Sequence, residues 1–422
     1  AEVIRLHCGK QLREWWKEWK QKPKRKRQLH PRTPEDCPFC QAYEPEWPTR
    51  SRAVRPWREV KSRAGHPKLY DSEGYWCDNP ACEYYGITDA GIHALVSDGW
   101  RGKTERIQRW RCAACGNRFS ARRHTPLYQV KTPSRRVAEV MTAMAEGVDT
   151  AAASRIFNHH PKTITHWVRR GGQQGRCLHE HYFRQIRSGH FQVDELVTKL
   201  RGQSERVWIW TGTDAQNKVL LALHLGRRRR EDGYALVHEV QQRLAPEQLP
   251  VFSSDGFQQY FYALTAHFGH WREVPGKRKP VWKVDERLLY GQVHKVRSGY
   301  RLKRMYSRIR WGTREEYRAQ LQALGFTGKV QTAYVERLNL TLRELVAPLS
   351  RRTWSLAQTP DQLACHLEWG RAYYHFARFH DSLRQPGSGS RRRRSRTPAM
   401  AAGVTCCRWP VQRLLQRPMP AF

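Results

Sequence analysis

Between positions 191 and 226 the chain carries three strand-like runs rich in β-branched and aromatic residues, and beyond position 330 apolar residues recur every three or four. FQVDELVTKL, ERVWIWTGTDA and VLLALHLG read as three successive strands with tight turns near Gly202 and Asn217, which predicts an antiparallel meander. Helical spacing follows at 232–244, then PVFSSDGF as a fourth strand ending at Asp255 and Gly256, then a helix at 257–268. The stretch 271–311 is basic and tyrosine-rich and predicts an insertion built on a β-ribbon. A helix is expected at 313–324. In the next, TAYVERLNLTLRELV, Val335, Leu338, Leu342 and Leu345 form one stripe while Glu336, Asn339 and Arg343 share the adjoining face. A long amphipathic helix at 360–378 closes the series.

Upstream, the pattern over 134–170 predicts three helices. Val137, Val140, Met141 and Met144 supply one apolar face of the first, and 151–157 form a short second that contains Ala152 and Ile156. Pro161 opens the third, whose Ile164, Trp167 and Val168 point inward and leave Lys162, Thr163, Thr165, His166 and Arg169 outside. This is the spacing of a helix-turn-helix whose last helix reads a major groove, with a plain three-helix core as the alternative. Positions 171–188 read as a linker helix.

Charge narrows the partners. Lys plus Arg number 76 against 38 Asp plus Glu, a formal net charge of +38 on 422 residues, accompanied by 17 Trp and 17 Tyr. A folded, strongly basic chain implies a polyanion, with nucleic acid foremost. No apolar run of about 18 residues and no secretory leader occur, which predicts a cytoplasmic protein without a membrane partner. The 11 cysteines then favour metal ligation over disulfides. Cys77 and Cys82, followed by Cys112 and Cys115 in WRCAACGNRF, can offer four thiolates to one structural zinc. Arg122 and Arg123 beside the second pair are expected to touch phosphate. Cys37 and Cys40 form half of a second zinc site or remain free thiols.

Three carboxylates complete the reading. Asp194 on the first strand, Asp255 ending the fourth and Glu336 on a later helix follow the order by which a ribonuclease H-like fold gathers three acids around divalent metal. Asp214 is a rival first acid, read as a turn residue. Glu195, next to Asp194, is expected on the opposite strand face as a supporting or surface group.

VDEL around Asp194, SSDGF around Asp255 and YVERLNLTLR around Glu336 resemble the catalytic segments of DDE transposases of bacterial insertion sequences. The insertion-sequence-one type is the nearest, and the resemblance covers roughly 75–385. It implies an α/β protein with a ribonuclease H-like core, a mixed five-stranded sheet with flanking helices, preceded by a zinc ribbon and an all-α helix-turn-helix domain. The corresponding segments are the zinc ribbon at 76–130, the helix-turn-helix and linker at 131–187 and the catalytic domain at 188–385; composition adds a basic region at 1–75 and an Arg-rich tail at 386–422, flexible at first and with a short helix expected within 397–415. Asp194, Asp255 and Glu336 are implied as ligands of two Mg²⁺ or Mn²⁺ ions, with Asn339 and Arg343 near DNA. YYHFARFHDSLR at 373–384 is similar to a conserved ending of related enzymes but carries His375 and Phe379 where Asn and Pro are usual. The implied activity is 3′-end cleavage and strand transfer on double-stranded DNA, terminal inverted repeats and target alike, by a nucleoid-associated homodimer or larger assembly. A domesticated regulator that binds without catalysis, and a nuclease that cuts without joining, are the alternatives.

Overall fold

The computed structural model describes residues 54–60, 70–276, 278–387 and 390–419, so Cys37 and Cys40 lie outside the described residues. The first unit is a three-stranded antiparallel sheet of β1 (Leu95–Arg101), β2 (Ile107–Cys112) and β3 (Arg118–Ser120). Its small core joins Tyr84, Ile87, Leu95, Trp110 and Phe119 to three of the cysteines.

Three helices follow, α1 (Ser134–Ala145), α2 (Thr150–Phe157) and α3 (Pro161–Tyr182). Local chemistry sets their limits. The Asp149 carboxylate accepts from the amides of Ala151 and Ala152 at 2.8 and 2.9 Å and starts α2. Asn158, in the left-handed region at φ 54°, ends it. Ile164, Trp167 and Val168 are buried as expected, but Ile156 is 63% exposed, because Ala153 is the residue that α2 turns inward. Nor does the third helix stop at a linker. It runs unbroken to Tyr182 because Gly171, Gly172 and Gly175 let it lie directly against α8 (Pro360–Ala372). A methyl on Gly172 would stand 2.4 Å from the Cys365 carbonyl oxygen. Gly172→Ala is therefore expected to lower stability by about 2 kcal/mol even after the gain in helix propensity. Thermal unfolding checks this, and an unchanged midpoint would show slack between the two helices.

The main sheet is mixed and has six strands in the order β11-β10-β7-β4-β5-β6. β4 (His190–Lys199), β5 (Arg206–Asp214) and β6 (Val219–Gly226) form the antiparallel meander. β7 (Val251–Asp255) returns parallel to β4 after α4 (Arg230–Arg243), as a parallel pair requires a crossover. α5 (Gln258–His267) and a small hairpin of β8 (Gly269–Arg272) and β9 (Val281–Val284) then lead to β10 (Tyr290–Ser298), parallel to β7, and β11 (Arg301–Trp311), antiparallel to β10. The sheet is thus one strand wider than expected, and 290–311 is not an insertion outside it. Tyr290, Gly291, Gln292 and Val293 are buried against β7 even though the rest of the segment is basic.

After α6 (Arg314–Ala323), α7 (Ala333–Leu345) crosses β4 and β5 on one face, while α4 and α5 cover the other. Leu338, Leu342 and Leu345 of α7 share one hydrophobic core with Val140 and Trp167 of the helical unit and Phe191 and Trp210 of the sheet. The C-terminal segment is helical within 397–415, as expected, but forms a hairpin where a flexible connection was expected. β12 (His380–Gly387) and β13 (Ser390–Arg396) form a hairpin, α9 (Pro398–Ala401) follows, and α10 (Val411–Gln416) packs on α1 and α3. Trp409, Leu414, Leu415 and Met419 are buried there, and Gln174 donates to the carbonyls of Leu414 and Arg417 at 2.9 and 2.7 Å. Apolar area at helical spacing outweighs the neighbouring arginines. No helix among the described residues is long and apolar enough to cross a membrane.

Candidate functional site

Pairing between β4 and β7 ends at Val193 opposite Ser254. One residue further along each strand stand Asp194 and Asp255, where the chain turns from β7 toward α5 and leaves the edge of β4 open. Carboxylate oxygens of Asp194, Glu195 and Asp255 come within 4.8 Å of one another there, close enough to hold a metal ion. Asp255 also accepts from the Phe257 amide at 3.0 Å. Burial, the Glu195 charge and the Asp255 charge push the Asp194 carboxyl up to about 7. Burial and Glu195 push Asp255 up to about 6. Crowded, desolvated carboxylates of this kind are relieved by a divalent cation.

Glu195 overturns its expected place as a supporting or surface group. Strand alternation holds, since Asp194 meets α7 and Glu195 meets α5, yet the Glu195 side chain is only 4% exposed and belongs to the cluster. Tyr260 Oη donates to its Oε2 at 2.7 Å and Arg228 Nε to its Oε1 at 2.8 Å. Arg228 is itself stacked over Phe257 at 4.3 Å. The open edge of β4 is what lets both faces contribute.

Glu336 stands apart from this close group. Its Oε1 accepts from Lys295 Nζ at 2.6 Å and from Thr332 Oγ1 at 2.7 Å. Burial raises its proton affinity, but these two bonds and the Lys295 charge outweigh it and hold the carboxyl below its ordinary value. Its charge still reaches Asp194. The helix that carries it is fixed to β4 by Gln192, fully buried two residues before Asp194. Gln192 Oε1 accepts from the amides of Tyr334 and Val335 at 3.0 Å each, and its Nε2 donates to the Gln331 carbonyl at 2.7 Å. Strand and helix are tied at the site itself.

Asn339 and Arg343, expected near DNA, make contacts within the chain. Asn339 is buried, donates to Asp194 Oδ2 at 2.8 Å and accepts from Thr211 Oγ1 at 3.0 Å, so it orients the acid. Arg343 is half-buried and donates to the Leu349 carbonyl at 3.2 Å, closing the turn after α7. Asp214 is wholly buried and accepts from the Gln216 amide and the Asn217 side chain at 2.9 and 2.7 Å, a turn residue as read. His375 is a core residue whose Nε2 accepts from the Leu220 amide at 3.0 Å.

The cysteines meet at the N-terminal sheet. Sγ of Cys77 and Cys115 lie 3.5 Å apart, and those of Cys82 and Cys112 3.7 Å apart. Four thiolates about 2.3 Å from one tetrahedral ion would stand roughly 3.8 Å from each other, so the set can hold a metal. Burial pushes the Cys82 thiol up to about 12. Asn117 donates to Cys77 Sγ at 3.8 Å. The adjoining arginines also make contacts within the chain, although the Arg123 side chain stays 42% exposed. Arg122 donates to the Val130 carbonyl at 2.7 Å and pairs with Glu105, and Arg123 pairs with Asp78. On α3, by contrast, Lys162, His166 and Arg169 are exposed and Thr163 and Thr165 half-exposed on one side.

Comparison with protein-family models and with curated proteins gives no match. Sequence reasoning missed Lys295, which no motif marks, and the cluster role of Glu195, which only the position where β7 stops pairing reveals.

Proposed function

We propose that the chain is a DNA transposase of the DDE type, an enzyme that cuts and rejoins DNA strands at Asp194, Asp255 and Glu336. The observation that carries this reading is the approach of Asp194 and Asp255 from adjacent parallel strands of a mixed sheet, and its inner order β6-β5-β4-β7-β10 agrees with the ribonuclease H-like core the reading requires. Asp194, Asp255 and Glu195 fit a divalent ion by donor type and by spacing, and Glu336 on α7 would complete the set once freed from Lys295. Magnesium or manganese bound there, two ions in all, would supply the Lewis acidity that lets water cut the 3′ ends and the released 3′-hydroxyl attack target DNA.

The chain's own residues do the positioning. Asn339 holds Asp194, Tyr260 and Arg228 hold Glu195, and Gln192 locks α7 across the strand that carries both acids. The four cysteines would bind one structural zinc, since protein fills every coordination position. The exposed side of α3 is the candidate reader of terminal repeats, and two such ends imply at least a dimer.

The test is a supercoiled plasmid carrying the DNA that flanks the coding segment on both sides, incubated with the purified chain. Nicked and joined products in Mg²⁺, absent in chelator, are expected. Duplex binding without nicking would replace this reading with that of a regulator, and nicking without joined products with that of a nuclease.

A further inference from the structure

β10 and β11 continue well past the sheet. The β7 pairing of β10 ends at Val293, yet the two strands stay paired with each other as far as Ser298 and Arg301, joined by a turn at Gly299 with φ +55° and Tyr300. Seven residues at about 3.3 Å each give an arm roughly 20 Å long. Tyr300 at its tip is 101% exposed and Met305 63%, with Leu302 and Val296 also exposed. A protruding two-stranded ribbon with apolar side chains in solvent needs an occupant.

Its charge says which. From Val293 to Arg310 the sequence has seven Lys and Arg and no Asp or Glu. Arg297, Arg301, Lys303 and Arg304 make no ion pair among the described residues, and Lys295 at the base is held by Glu336. A second copy of so basic an arm would be repelled, whereas a polyanion would be drawn to it. Cross-strand register places Arg297 with Leu302 on one face and Val296 with Arg304 on the other, so both faces offer cations and apolar groups. An element built that way suits the inside of a groove better than a flat protein surface. The major groove of B-form DNA is about 12 Å wide and admits a two-stranded ribbon.

We infer that the β10/β11 arm inserts into duplex DNA beside the acidic cluster, with Arg297, Arg301, Lys303 and Arg304 on phosphates and Tyr300 at the leading edge. The inference rests on the transposase reading, and it adds a DNA contact within the catalytic unit, separate from α3 and the cysteine-bearing sheet. The arm's base fixes where the duplex runs. Lys295 bonds to Glu336, and His294 lies so close to Gly256 that a methyl there would be 2.6 Å from its Nδ1. DNA along the arm therefore passes the acids.

The experiment compares the full chain with an R297S/R301S/K303S/R304S variant, using a labelled 40-base-pair duplex of random sequence over a range of salt concentrations. All four side chains are exposed, so circular dichroism and the thermal midpoint should match wild type. The variant is expected to bind at least about 30-fold more weakly at roughly 0.1 M salt, with the slope of log affinity against log salt shallower by about 2 to 4. If wild type binds the duplex and the variant binds with equal affinity and slope, the arm assignment is overturned while the transposase reading stands. The same holds if the variant loses self-association on size exclusion but keeps its duplex affinity. If wild type binds no duplex, the transposase reading fails and the arm assignment with it.

Discussion

Asp194→Asn is expected to cut Mg²⁺-dependent strand cleavage by at least about a thousandfold, or roughly 4 kcal/mol of transition-state stabilisation, while raising the thermal midpoint of the metal-free chain. The two effects have one cause. The Asp194 carboxyl is pushed up to about 7 by burial and by Glu195 and Asp255, so the folded chain holds this proton more tightly than the unfolded chain does. The stability linked to that proton is fully present below the ordinary carboxylate range and is lost as pH rises through about 7. Asparagine keeps the shape and an acceptor for Asn339 but carries no charge. At pH 8 the variant should gain about 2 kcal/mol, a few degrees in midpoint, and at pH 5.5, midway through the window, about half of that gain should remain. Mn²⁺ should stabilise wild type more at pH 8 than at pH 5.5 and leave the variant nearly unmoved. Cleavage at the wild-type rate, or a midpoint at pH 8 no higher than wild type, would sink the assignment of Asp194 as a metal ligand.

Period and order carried the sequence reading as far as single elements. β4 to β7 and the helices α4 and α5 were legible because apolar runs of strand length and stretches of helical spacing are separated by turns that Gly202, Asn217 and Gly256 mark. Asp194 and Asp255 were legible for the same reason, since each sits at a defined place on its strand. Glu195 was not, because alternation says which face a side chain leaves from but not where the neighbouring strand stops covering the edge. Asn339 shows the matching limit for helices. A helical wheel puts it beside Glu336, but only the packing of α7 on Thr211 decides that this face is turned inward at Asn339 and outward at Glu336. Composition misled twice. Basic residues hid both the buried start of β10 and the hairpin of β12 and β13.

The cysteine-bearing unit is where removal of a single atom should have the largest structural effect. Its core has few large side chains besides Tyr84, Ile87, Leu95, Trp110 and Phe119, too little apolar area for a stable fold of its own. Binding of structural zinc to such a unit supplies an apparent 10 to 16 kcal/mol, roughly, at neutral pH. Cys112 is wholly buried, and its amide also closes the turn by donating to the Asn117 carbonyl at 2.8 Å. Cys112→Ser, or treatment with a strong chelator, is therefore expected to release one zinc per chain and to expose positions 70–130 to rapid proteolysis. The main sheet should stay resistant, because β4, β7 and α7 draw their packing from a separate core. Zinc-free wild-type protein would refute the site, and so would a variant that keeps its zinc and its protease resistance. Loss of the unit should also loosen the C-terminal segment, since the Met419 amide donates to the His124 carbonyl at 2.8 Å and His124 stacks on Trp76 at 4.4 Å. Cleavage spreading from 70–130 to the segment after Trp409 would then show that the metal holds both segments in place.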